Sequence, residues 1–147
     1  MKLTIAWIGK TKNPAIEALT KEYLERISRY VDSQGQALSD EPALLNLCAR
    51  VRTRPAQTLV LFDTRGKQLS SEDFADFLRN HEDRNPRPLV LAIGPADGFS
   101  DEVRGSASAI LSIGRMTLAH EVARVVVLEQ VYRALTILRG HPYHTGH

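Results

Sequence analysis

At 147 residues, with 43% apolar and 24% charged side chains, the chain has the length and composition of one ordinary globular domain. A net charge of +2 permits an RNA partner without demanding one, and the single cysteine, Cys48, excludes an intrachain disulfide framework. The apolar run at Met1–Ile8 is too short for a secretory signal, and nothing approaches the roughly 18 apolar residues of a membrane span, so a cytoplasmic protein is expected.

In chain order, Leu3–Ile8 reads as a buried strand ending at Gly9. Asn13-Pro14 opens a helix on which Ile16, Leu19, Tyr23, Leu24, Ile27 and Tyr30 recur at helical spacing. Residues 31–40 read as a loop with a weak strand around Ala37-Leu38. Pro42–Val51 reads as a helix capped by Ser39 or Asp40, burying Leu44, Leu47, Cys48 and Val51. Thr58–Phe62 is a continuous apolar run typical of a strand covered on both faces. Ser70-Ser71-Glu72-Asp73 resembles a capping box, with Asp in place of Glu, before a helix on Phe74, Phe77 and Leu78. After the turn Asn85–Pro88, Leu89–Ile93 is a second buried strand. Ser100 caps a short helix, Ala109–Ile113 is the last strand, and Leu118–Leu138 is a long helix closed by Gly140 and Pro142. Alternating strands and helices, with no repeat or linker, predict a single domain over 1–147: α/β, three layers, with a mostly parallel sheet.

Ligands of such sheets bind beyond the carboxyl ends of the strands. Three glycine-containing loops follow strands directly: Asp63–Lys67, Gly94–Ser100 and Gly114–Thr117. Neither a dinucleotide fingerprint nor a Walker motif is present, so a conventional NAD or ATP site is not expected. An adenosine held by backbone groups stays open. On the last helix, Glu129 and Arg133 stand four apart, acid first, which reads as a helix-stabilising pair; Arg133 could instead meet a phosphate. His120, in the first turn of that helix, reads as structural or as bordering the pocket, and His81 as exposed. The tail carries His141, His144 and His147, interrupted by proline and glycine and without an acidic partner nearby. No metal site is expected there, and a loosely docked tail is. Tyr143 and His144 suit a nucleobase, one by stacking and the other by proton exchange near neutral pH.

Phe62–Phe74 (F-D-T-R-G-K-Q-L-S-S-E-D-F), Ile113–His120 (I-G-R-M-T-L-A-H), Leu128–Ala134 (L-E-Q-V-Y-R-A) and His141–His144 (H-P-Y-H) together resemble the RlmH family of the SPOUT superfamily. The resemblance implies a SPOUT domain whose C-terminal segment forms a trefoil knot, in homodimers whose partner subunit completes each active site. It implies S-adenosylmethionine as cofactor, touched by Phe62, Gly94, Gly98, Ile113, Gly114, Arg115, Met116, Thr117 and Leu118. It further implies methylation of N3 of a pseudouridine in 23S ribosomal RNA, in the helix 69 region of the assembled ribosome, with Arg133, Tyr143 and His144 as catalytic residues facing the RNA. In that reading His144 assists removal of the N3 proton and Arg133 stabilises charge on the flanking carbonyls. Two departures stand out: Gly94-Pro95 replaces the family's Gly-Gly, and the segment between Tyr30 and Thr58 is short and holds acidic residues. Alternatives are a ribosome-binding homologue that lost cofactor use through Pro95, and an enzyme of small nucleotides.

Overall fold

The structure is a computed structural model and describes residues 1–145. Five strands form one sheet: β1 (Lys2–Ile8), β2 (Asp32–Leu38), β3 (Thr58–Gln68), β4 (Leu89–Ile93) and β5 (Ala109–Ser112). Their order is β2-β1-β4-β3-β5 and every pairing is parallel. Strand side chains alternate in direction, so each strand feeds two cores. Leu3, Ile5, Val60, Leu89 and Leu91 point to one face, under α1 (Pro14–Ser28), α3 (Ser71–Arg84) and α5 (His120–Leu138). Ala6, Leu59, Leu61, Val90 and Ala92 point to the other, under α2 (Glu41–Cys48) and α4 (Asp101–Ser106). The three-layer α/β arrangement expected from sequence is therefore present.

Helix starts follow local chemistry. Asn13 Oδ1 accepts from the Ala15 amide, Asp40 Oδ1 from Ala43, Ser70 Oγ from Asp73 and Ser100 Oγ from Val103. Of the two candidate caps of α2, Asp40 is the one used. That helix ends at Cys48, short of Val51, which is 44% exposed in a tight turn rather than buried.

Two segments expected to be loops are strand. Asp32–Leu38 pairs with β1 along its whole length, although its Ser, Gln and Gly are poor strand formers. Backbone pairing carries it, and Gly35 allows close packing, since a Cβ there would stand 2.5 Å from Leu24 Cδ1. Asp63–Lys67 lies inside β3 rather than after it. Phe62 and Lys67 both pair with Leu111, so the residues between them bulge out before pairing resumes. Gly66 makes the return possible, because a Cβ there would sit 2.6 Å from the Leu111 carbonyl.

Candidate active site: a cleft at the carboxyl strand ends and a docked tail

A cleft opens beyond the carboxyl ends of β3, β4 and β5, enclosing about 530 Å³ with its mouth. All three glycine loops reach it: Phe62, Asp63 and Thr64 from the β3 bulge, Gly94–Ala96 and Gly98 after β4, and Ile113, Met116, Thr117 and Leu118 after β5. Helix α5 closes the far wall with His120, Ala123 and Val127. Of the nine residues expected to touch a cofactor, seven line this cleft; Gly114 and Arg115 do not. Sequence reasoning missed Ile93, Ser112, Ala123 and Val127, whose types carry no ligand signal.

Asp63 shapes the floor. Its carboxylate is buried and accepts from the Arg65 amide (2.9 Å), Arg65 Nε (3.1 Å) and Nη2 (3.0 Å), and the Phe99 amide (3.1 Å). The Arg65 guanidinium, then the two amides, outweigh burial and hold this carboxyl at about 2. Arg65 also donates to the Phe99 carbonyl at 2.8 Å, tying the β3 bulge to the Gly94 loop. Both Gly94 and Gly98 are needed at this crossing. A Cβ on Gly94 would meet the Phe99 ring at 2.8 Å; one on Gly98, where φ is +83°, would meet Asp63 Oδ2 at 2.8 Å. Pro95 uses its carbonyl to accept from the Gly98 amide at 2.9 Å and thereby sets the turn.

At the amino end of α5 no side chain caps the helix. Glu121 instead accepts from the Lys12 and Asn13 amides, fixing the β1–α1 loop against it. Arg124, fully buried, donates to Thr11 Oγ1 at 2.5 Å and lies 4.4 Å over the Trp7 ring. His120, left open between two roles, borders the cleft.

As far as Thr145 the tail is docked, contrary to the loose tail expected. Pro142–His144 forms a 3₁₀ turn against α5. Tyr143 Oη donates to Glu129 Oε2 at 2.8 Å, and its ring packs edge-on against Tyr132 at 4.7 Å. Burial and this carboxylate raise the Tyr143 pKa. Glu129 also receives Arg133 Nη2 at 2.8 Å; burial opposes its charge, but these donors outweigh it and its pKa is lowered. The expected helix pair is thus part of a network. Arg133 Nη1 lies 2.9 Å from His144 Nδ1, and His144 Nε2 lies 2.5 Å from Glu72 Oε1. A guanidinium can only donate, so Nδ1 carries the lone pair and Nε2 the hydrogen, given to Glu72. Among the described residues no three His, Cys, Asp or Glu side chains cluster as metal ligands; His147 lies outside them.

Comparison with known proteins settles the lineage. The family model described as "Predicted SPOUT methyltransferase" matches residues 1–144. The chain belongs to the SPOUT methyltransferases. A "Ribosomal RNA large subunit methyltransferase H" of Koribacter versatilis is 56% identical over 147 residues, covering 100% of both chains. The protein of the same name from Trichlorobacter lovleyi is 43% identical, over 98% of this chain and 99% of its own. Among solved structures, a "Probable Methyltransferase from Bordetella pertussis Tohama I" shares the fold at a TM-score of 0.59 and 12% identity, covering 90% of this chain and 93% of its own. One from Legionella pneumophila, solved with its cofactor SAM bound, shares it at 0.51 and 15%, covering 91% and 66%. As a SPOUT methyltransferase, the chain places its cleft where strand ends and the last helix meet.

Proposed function

We propose that this SPOUT enzyme transfers the methyl group of S-adenosylmethionine to N3 of a pseudouridine in large-subunit ribosomal RNA, in the helix 69 region of the assembled ribosome. The carrying observation is the convergence of three strand-end loops on one cleft, with a tail of base-reading side chains docked on the helix that closes it. Val127, in the cleft wall, and Arg133, in the tail network, are six residues apart on α5, about 9 Å along its axis. The relatives named for ribosomal RNA methylation supply the substrate class.

The residues present suit the cofactor. Phe62, Ile93, Ile113, Leu118 and Val127 form apolar walls for an adenine ring. Gly94 and Gly98 bring the backbone close on the opposite side, and Gly114, at φ +150° with open space around its α-carbon, lets the β5 loop turn. Arg115 and Gly114 would then join through backbone groups rather than as walls. When bound, S-adenosylmethionine supplies a methyl group on a sulfonium already primed to leave.

The chain's own part is alignment and management of the N3 proton. We give His144 a role other than the one first expected, in keeping with its hydrogen bonds. With Arg133 donating to Nδ1, the ring has no free lone pair, so His144 is a donor rather than a base. Its Nε2–H, once Glu72 gives way, donates to a uracil carbonyl, and Arg133 reinforces it from behind. The N3 proton passes to water. Tyr143 fixes the geometry of both through Glu129. The same reading takes the working form to be a knotted homodimer in the cytoplasm. Leu19 on α1 and Val122 on α5, 38% and 44% exposed, are apolar side chains that a second copy would cover.

Calorimetric titration with S-adenosylmethionine tests the cofactor, and transfer of labelled methyl to ribosomes tests the substrate. Micromolar binding, about 8 kcal/mol, together with label in the large-subunit RNA is the expected result. A folded protein that binds ribosomes but no cofactor would identify Pro95 as the lesion; activity on free nucleotides alone would replace the RNA substrate.

A further inference from the structure

At the opposite end of the sheet, the turn between α2 and β3 and the turn before β4 form a shallow hollow, about 780 Å³ with the open solvent at its mouth, lined by Arg50, Arg52, Arg54 and Arg87. No Asp or Glu lines it; the remaining walls are Val51, Thr53, Pro55 and Ala56. Both turns are stitched in place. Val51 and Arg54 exchange backbone hydrogen bonds at 3.0 and 3.1 Å, Gln57 Nε2 donates to the Leu47 carbonyl, and Arg54 Nη2 donates to the Asn46 carbonyl at the end of α2. On the other side, the Arg87 amide donates to Asn85 Oδ1, and His81 Nε2 lies 3.0 Å from the Arg87 carbonyl.

Arg54 therefore has a structural task, satisfying the Asn46 carbonyl of α2. Arg50, Arg52 and Arg87 have none: all three are exposed, and among the described residues none makes a side-chain ion pair. On a chain whose net charge is only +2, three unpaired guanidinium groups held on rigid turns concentrate the positive field in one place. The hollow is open, and the neighbouring helix α2 presents its carbonyl end. The openness disfavours a small, enclosed anion and suits successive phosphates of a polyanion, while the carbonyl end of α2 is occupied by Arg54 rather than by the anion.

The geometry points to a second RNA-contacting surface here, taking the sugar-phosphate backbone without reading sequence. This rests on the RNA substrate proposed above. The patch precedes Thr58 and Leu89, whereas the cleft follows Phe62 and Ile93, so the two lie about 13 Å or more apart along the strands. An RNA touching both must span the sheet. The enzyme thus prefers a large folded RNA surface to a short isolated hairpin.

The test uses the full chain with Arg50→Gln, Arg52→Gln and Arg87→Gln combined, leaving Arg54 in place. Two measurements are made: binding to a generic-sequence RNA duplex against salt, and methylation kinetics on ribosomes. Each lost phosphate contact removes about 0.7–0.9 from the slope of log K against log salt. The expected result is a slope shallower by two to three, with KM on ribosomes raised tenfold or more at unchanged kcat. Lysine at the same three positions restores the slope, since charge alone sets it. An unchanged slope, a parent protein that does not bind the duplex, or an unaltered KM on ribosomes overturns the proposal. Ribosomes unmethylated by parent and variant alike, with the duplex slope still altered, would instead sink the substrate reading and spare the patch.

Discussion

Replacing Asp63 with Asn keeps the shape of the floor of the cleft and removes its charge. The carboxylate accepts four hydrogen bonds, three of them from Arg65. An amide oxygen can keep two at most, and its NH₂ faces a guanidinium donor. The native carboxyl is held at about 2 against 3.8 ordinarily, which at 1.36 kcal/mol per unit gives about 2 kcal/mol of stability at neutral pH. The Asp63 side chain is buried but its partner Arg65 is half exposed, so solvent screening makes this figure an upper bound. A depressed carboxyl stabilises the fold above its unfolded pKa and loses that contribution as pH falls toward the folded value. The expected outcome is a variant less stable by about 2–3 kcal/mol in urea at pH 7, with the gap narrowing between pH 4 and 2. Affinity for S-adenosylmethionine should drop as well, because the Gly94 loop loses its tether. A gap that stays constant across that acid window, or a variant as stable as the parent at pH 7, would refute the reasoning.

Gly66→Ala should cost about 1–3 kcal/mol, since its methyl would press on the Leu111 backbone; thermal melting should show a fall of several degrees. His144→Ala should cut methyl transfer at least tenfold while calorimetry finds cofactor affinity unchanged. Glu72→Ala, which releases the His144 ring, should instead lower KM for ribosomes a few-fold with kcat held; equal loss in both variants would mean that Glu72 is part of the chemistry. Burial pushes the Cys48 thiol up to about 11, so iodoacetamide at pH 8 should label it far more slowly in the native protein than in urea.

The strands β1, β3, β4 and β5 and all five helices were legible because their signals are local: apolar runs for the strands, caps one residue before α1 to α4, and a long run closed by Gly140 and Pro142 for α5. Strand β2 was not, because Asp32–Leu38 has neither alternation nor β-branched residues, and only its pairing with β1 makes it a strand. The cleft was legible as three glycine loops, yet the bulge in β3 was hidden, since pairing of Phe62 and Lys67 with the same Leu111 is a long-range fact. Asp63 read as a loop residue because its partners include Phe99, 36 positions away. The tail illustrates the same limit. Glu129 and Arg133 announced themselves as a helix pair, but the engagement of His144 by Glu72, 72 residues upstream, has no counterpart in spacing. The arginine hollow joins two turns far apart in the chain, so its charge averages away in the composition.

The packing of α1 against α5 has a bearing on how the molecule is made. The β1–α1 loop is tied to Glu121 across 109 residues, and β1 sits between β2 and β4 rather than beside a following hairpin. During synthesis the first half of the chain emerges with its apolar face uncovered, and the helix that covers it follows only some 109 residues later. Such distant pairings fold slowly. Nascent chains should therefore remain protease-sensitive until α5 has emerged and then become protected in one cooperative step, leaving a window in which chaperones can engage them.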